Sequence, residues 1–244
     1  MPRPGRLVAI GLAIFLCGLI VLFPARVAYR ALAPDGVRLA GLSGTVWNGA
    51  AAESSLGGLY LGDLSWRFRP LALVTGKAGF AVSGVSASGP LTGNLAVGPG
   101  GAVHVSDLRG SVPLSAVGGL ATLGGVDGVL ELDIGTLVLE GGLPVRGTGT
   151  LELTSLFARQ LASAPLGNFR ARLETVEGVL TATFEDVSGM LDLSGTLEVR
   201  PDRSYSLTGS VAATESAPQS LVRQLSFLPA DASGKRSFRM EGQL

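Results

Sequence analysis

The sequence predicts a mainly β protein: an N-terminal transmembrane helix, then a long, curled, mostly antiparallel β-sheet with a few short helices. Three observations predict it. Leu7 to Phe23 is an uncharged apolar run. From Val37 onward apolar and polar residues alternate with period two through much of the chain, the pattern of half-buried strands. Glycine supplies 36 of 244 residues, about twice its usual ~7%, and it punctuates those runs where strands bend or turn.

The N-terminal run comes first. Seventeen uncharged residues, LVAIGLAIFLCGLIVLF, span ~26 Å as a helix, near the lower limit for a bilayer crossing. Arginines bracket it, and Pro24 marks its end or a kink. Two other readings compete. Ala31-Leu32-Ala33 is an A-x-A cleavage site, but Pro34 would follow the cut and the run exceeds a 7–15-residue signal core. Cys17 follows Leu16 rather than a small residue, so it reads as a small apolar side chain facing lipid rather than a lipidation site. We expect an uncleaved anchor over residues 1–33 and a β-rich domain over 34–244. Arg3 and Arg6 precede the span, and Arg26, Arg30 and Arg38 follow it, so charge counting leaves orientation open.

The first strands carry the two tryptophans. Trp47 begins a strand that Gly49 lets pack closely; Trp66 and Phe68 share a face opposite Arg67 and Arg69. Both tryptophans read as sheet anchors, with a binding surface as the sharper alternative. Further on, Leu130, Leu132 and Ile134 alternate with Glu131 and Asp133, then the apolar positions shift to Leu137 and Leu139. One extra residue at Gly135-Thr136 predicts a bulge. Phe169, Ala171 and Leu173 alternate with Arg170, Arg172 and Glu174. Leu191, Leu193, Leu197 and Val199 share one face, with Asp192, Ser194, Thr196 and Glu198 on the other. After Pro201-Asp202-Arg203, Tyr205, Leu207 and Val211 continue, which predicts a hairpin. Phe238 and Met240 close the pattern. Three stretches have helical spacing: 113–123 behind Pro113, 155–161 behind a capping Ser155, and 218–228 behind Pro218. A curled sheet with one apolar face makes a groove, which could hold hydrocarbon or a partner's strand. The blander outcome is that the short helices close over that face.

Catalysis finds no support. One Cys and one His exclude a disulfide framework and a Cys/His zinc site, and no cofactor is implied. Nineteen basic residues balance nineteen acidic ones, which argues against nucleic-acid binding. Gly84-Val-Ser86-Ala-Ser88 lacks the last glycine of a nucleophile elbow. His104 lies on a polar strand face with no constellation around it, and Glu131 with Asp133 reads as the wet face of a strand.

The frames around the tryptophans carry a resemblance. Leu42 to Ala50 reads L-x-G-T-x-W-x-G-x-A, and Trp66 to Gly76 reads W-x-x-x-P-L-x-L-x-x-G through Pro70, Leu71 and Leu73. With the basic N-terminus, the apolar span and the ending Ala217–Leu244, the chain resembles the type II secretion system protein N family, which is similar to AsmA-like envelope proteins in its glycine-punctuated strands. The resemblance implies a short cytoplasmic N-terminus, an inner-membrane span and a periplasmic β-domain. It implies a non-enzymatic accessory role in protein secretion, with other subunits of that machine as partners. The residues that carry it, Trp47, Gly49, Trp66 and Pro70, are the candidate interface; Leu191, Leu193, Leu197 and Val199 are the candidate apolar groove. An AsmA-like lipid-binding or lipid-transfer module is the alternative.

Overall fold

The computed structural model describes residues 4–32, 36–56, 59–116, 125–160, 162–227, 229–230 and 235–243. Two helices lead: α1 (Pro4–Val21) and α2 (Ala25–Leu32). Fourteen strands then form one sheet: β1 (Val37–Ala40), β2 (Ser43–Gly44), β3 (Asn48–Leu56), β4 (Leu59–Arg69), β5 (Ala78–Ser86), β6 (Gly89–Val97), β7 (Val103–Pro113), β8 (Val126–Glu140), β9 (Leu143–Ala158), β10 (Gly167–Val176), β11 (Val179–Gly189), β12 (Leu191–Val199), β13 (Ser204–Ala213) and β14 (Arg236–Gln243). A last short helix, α3 (Gln219–Leu225), precedes β14. Every strand from β3 to β14 pairs antiparallel with its sequence neighbours, and β1 and β2 both pair with β3. The sheet is open, with β1 and β14 at its edges.

The period-two pattern becomes two chemically distinct faces. Leu132, Leu151, Ala171 and Phe184 lie opposite one another across four strands, and the row continues through Gly195 and Gly209 to Phe238. On the other face Arg109, Asp133, Thr150, Arg172, Thr183, Thr196, Thr208 and Arg239 form a polar row across eight strands. Cross-strand polar pairs lace that face. Arg109 bridges Asp133 at 3.1 Å, Arg170 bridges Glu152 at 2.9 Å, and the hydroxyls of Thr136 and Thr148 lie 3.0 Å apart.

Glycine explains how large side chains fit on a strongly curved sheet. Trp66 lies over Gly49, Ile134 over Gly149, Phe184 over Gly195, Phe238 over Gly209 and Tyr205 over Gly242. Each is a pair in direct register. At each glycine a Cβ would come within 3.0 Å of the covering residue. Large apolar residues are thus laid flat on a neighbouring strand that has no side chain there, a device that also pins the register.

The sheet curls toward its apolar side. A methyl group on Gly147 of β9 would meet Leu180 Cδ1 of β11, two strands away, at 3.4 Å. The buried cluster sits at one end, where Ala158, Ala162 and Leu166 pack against Leu221 of α3 with Leu156, Met190 and Leu191 around them. The chain exposes 14801 Å², whereas a compact protein of 24.8 kDa exposes roughly 10,000 Å². The exposed side chains of α1 and the open sheet both contribute to the excess.

Several expectations need correction. The apolar run from Leu7 is helical from Pro4 to Val21, but among the described residues no helix is long and apolar enough to cross a membrane. Of the helix expected over 113–123 only the first four residues are described: Pro113 ends β7 and Leu114–Ala116 form a 3₁₀ turn, with Val112 and Leu114 both buried. Residues 117–124 lie outside the described residues. The helix expected over 155–161 is strand through Ala158 and a turn at 159–160, with residue 161 outside the described residues. Ser155 takes a left-handed φ of 53° and its N–H donates to Asn168 Oδ1 at 2.8 Å, so it is a bulge, and Phe157 and Ala158 rejoin the ladder opposite Asp127 and Val126. The expected helix over 218–228 forms as α3, behind Pro218; Leu228 and the turn 231–234 lie outside the described residues. The bulge at Gly135 and the β12–β13 hairpin are present as expected. Trp47 stands just before β3 rather than inside it.

Candidate functional site

The two tryptophan frames meet at the joint between helices and sheet. Pro24 makes a β-bridge with Thr45, and the Val46 N–H donates to Phe23 O at 3.0 Å. Trp47 Nε1 donates to Ile20 O at 2.8 Å. That carbonyl is in the last turn of α1 and also accepts the Phe23 N–H at 3.3 Å. Trp66 Nε1 donates to Val46 O at 3.0 Å, and the Phe68 N–H donates to Trp47 O at 2.6 Å. The Trp47 ring packs edge-on against Phe68 with centroids 4.8 Å apart, and Phe68 packs likewise on Phe80 at 5.4 Å. Gly49 is required because Trp66 occupies the space a side chain would fill.

Helix α2 docks beside this joint. Ala25 is buried, Arg26 Nε donates to Leu42 O, and the Tyr29 hydroxyl donates to Val37 O at 2.9 Å while accepting the Leu39 N–H at 3.1 Å. Pro70 opens a 3₁₀ turn, Pro70–Thr75, that Gly76 closes at φ 71°. The structure therefore brings Trp47, Gly49 and Trp66 together as a structural joint, with Pro70 two residues beyond Phe68. Asn48 and Arg67, which pair across β3 and β4, are the exposed residues beside them.

On the polar face next to this joint lies an open depression of about 770 Å³, lined in part by Ser65, Arg67, Ser83, Thr92 and Arg109. A second, of about 580 Å³, is lined by Glu131, Asp133 and Glu152. Asp133 is engaged by Arg109 there. His104 is half-buried on the same face, opposite Ala96 and Val138. No cluster of three metal-ligating side chains occurs among the described residues.

The apolar candidates divide. Leu191 packs on the cluster that α3 closes. Val199 is buried and borders a small depression of about 210 Å³, where Gly141 of the β8–β9 turn meets Arg203 of the β12–β13 turn. Leu193 and Leu197 are half-buried, opposite Val211 and Leu207. Sequence reasoning found these faces but not the large-residue-on-glycine pairs, which need the register of non-adjacent segments.

A family model described as "Type II secretion system (T2SS), protein N" matches residues 35–239. Three proteins named type II secretion system protein N are similar along nearly their whole length. That of Vibrio cholerae serotype O1 is 27% identical, covering 95% of each chain. That of Aeromonas hydrophila is 26% identical, covering all of each chain. That of Pectobacterium carotovorum subsp. carotovorum is 25% identical, covering 91% of this chain and 90% of its own. No solved structure matches.

Proposed function

The chain belongs to the type II secretion system protein N family, and from that premise we propose that it is a non-enzymatic accessory component of the secretion machine, held at the inner membrane by α1 with its sheet in the periplasm. Family membership over residues 35–239 carries the reading. The geometry supports the anchor. Leu12, Ile14, Phe15, Leu19, Ile20, Val21 and Leu22 are each at least half exposed, an apolar surface that water would not tolerate and lipid would cover. The joint at Trp47 then passes the helix directly into the sheet edge, so the sheet is held close to the bilayer.

In this reading the partners are other subunits of the machine, and their contact surface is the polar face beside the aromatic joint, where Asn48, Ser65 and Arg67 are exposed. A second reading, an AsmA-like lipid-binding or lipid-transfer module, draws on one observation: the apolar face around Leu193 and Leu197 is only half-buried.

Photocrosslinking in native membranes separates the two. Probes go at Asn48 and Ser65 on one face and at Leu193 on the other, and adducts are identified by mass spectrometry. Adducts to secretion subunits at Asn48 or Ser65 support the first reading. Phospholipid adducts at Leu193 with no protein adduct anywhere would replace it with the second.

A further inference from the structure

We propose that the 3₁₀ turn Pro70–Thr75 is a second membrane contact, seated in the headgroup and upper acyl region of the bilayer beside the end of α1. This rests on the anchor reading above. Leu71, Leu73 and Val74 are 82%, 58% and 86% exposed, and the turn buries none of its residues. Three large apolar side chains presented to water on one rigid turn are a surface awaiting a partner.

Place identifies that partner as lipid. The Phe68 N–H is bonded to Trp47 O, and Trp47 Nε1 is bonded to Ile20 O in the last turn of α1. The turn begins two residues after Phe68, so it hangs from the same joint that receives the helix. If α1 ends at the bilayer surface, the turn is at that surface too, and Trp47 sits at the level where tryptophan side chains gather. The other described connections at this end of the sheet differ in kind. Apart from Thr45–Trp47, which forms the joint itself, they are Gly98-Pro-Gly-Gly-Ala102, Gly141-Gly142, Glu177-Gly178 and Arg200-Pro-Asp-Arg203. None carries a large apolar side chain, and the apolar turn is the one next to the helix.

The turn is also built for an apolar setting. Its backbone closes on itself: the Thr75 hydroxyl and the Lys77 N–H both donate to Ala72 O, at 2.8 and 3.2 Å, and the Gly76 N–H donates to Leu73 O at 2.9 Å. Self-satisfied backbone groups are what low-dielectric surroundings require. Basic residues flank it at Arg67, Arg69 and Lys77, and no Asp or Glu occurs from Leu64 to Ser106. Arg69 Nη1 donates to Asn94, whose amide in turn donates to Asp107. This balance suits anionic phospholipid headgroups.

The test uses the full chain in a Cys17→Ser background, reconstituted into nanodiscs of phosphatidylethanolamine and phosphatidylglycerol. An environment-sensitive fluorophore is attached at Leu73→Cys, Val74→Cys, Ile14→Cys in α1 or Val187→Cys at the far end of the sheet. Blue-shifted emission at 73 and 74, quenched by lipids brominated near the glycerol end, with water-like, unquenched emission at 187, is the expected result. Quenching at 14 with 73 and 74 resembling 187 would overturn the turn's role and leave the anchor standing. No quenching at 14, 73 or 74 would overturn both. A blue shift at 73 and 74 without quenching would mean burial against protein and would also overturn the proposal.

Discussion

Trp47 Nε1 donates to the carbonyl of Ile20 at 2.8 Å, so the first tryptophan of the sheet satisfies the last turn of the leading helix. The same residue holds Phe68 twice, by ring contact and by its own carbonyl. Replacing Trp47 with Phe keeps the ring and removes the donor, leaving the helix carbonyl with one partner fewer. We expect a loss of about 1 kcal/mol. Trp47→Ala removes the packing on Phe68 as well, and we expect about 2 kcal/mol, less than a core Trp truncation because the site is half-buried. Denaturant unfolding in detergent, followed by circular dichroism, measures both.

Glycine substitutions separate the positions where a side chain is forbidden from those where it is merely absent. At Gly49, Gly195 and Gly209 a Cβ would collide with Trp66, Phe184 and Phe238. Alanine at any of the three should cost about 1–3 kcal/mol, the range for overpacking. At Gly135 the nearest atom is Thr148 Oγ1 at 3.4 Å, and alanine there should be neutral, or stabilising by up to about 1 kcal/mol through the unfolded chain. Equal costs at all four sites would refute the idea that large residues need bare backbone opposite them.

Much of the sheet was legible because antiparallel neighbours in this fold are neighbours in sequence. The Leu191–Val199 alternation, the turn at Asp202 and the extra residue at Gly135 each report on local geometry, and each appears where the pattern put it. The failures were non-local. Ser155 has the residue type of a helix cap, but its N–H is claimed by Asn168 thirteen positions on, and that tertiary bond outweighs propensity. The Trp47–Ile20 bond spans 27 positions, so the sequence offered two tryptophans in glycine frames without saying what they clasp. The residues expected as an interface form the joint between helix and sheet.

The turn between β12 and β13 carries a pH dependence. The Ser204 hydroxyl donates to Asp202 Oδ1 at 2.7 Å and the Ser204 N–H at 2.9 Å, and these bonds hold the Asp202 carboxyl below its ordinary value, with a smaller contribution from Arg200. A depressed folded-state value means that the turn's stabilisation is complete above the ordinary aspartate range and is lost as pH falls through the folded value. In an NMR titration the Asp202 carboxyl should have its midpoint below that of a free aspartate. Ser204→Ala removes the hydroxyl but not the backbone donor, so the midpoint should move up only part of the way. An unchanged midpoint in that variant would assign the shift to the backbone bond alone.

Helix α3 packs against the buried cluster on the apolar face, and its residues differ sharply in what they bury. Leu221 is 1% exposed within the cluster of Ala158, Ala162 and Leu166, whereas Val222, the next residue, is 47% exposed. Leu221→Ala should cost about 2–4 kcal/mol, and Val222→Ala should lie within about 0.5 kcal/mol of wild type. The loss of α3 would uncover Leu191, which packs on that cluster, while Leu193 and Leu197 stay as they were. Single cysteines in a Cys17→Ser background report this directly. In wild type a water-soluble maleimide should label Ser194→Cys, an exposed site, faster than Leu191→Cys. Adding Leu221→Ala should raise the rate at 191 and leave the rate at 193 unchanged. A rise at both would mean that α3 holds the curl of the whole sheet; no change at either would mean that Leu191 is covered by the sheet itself.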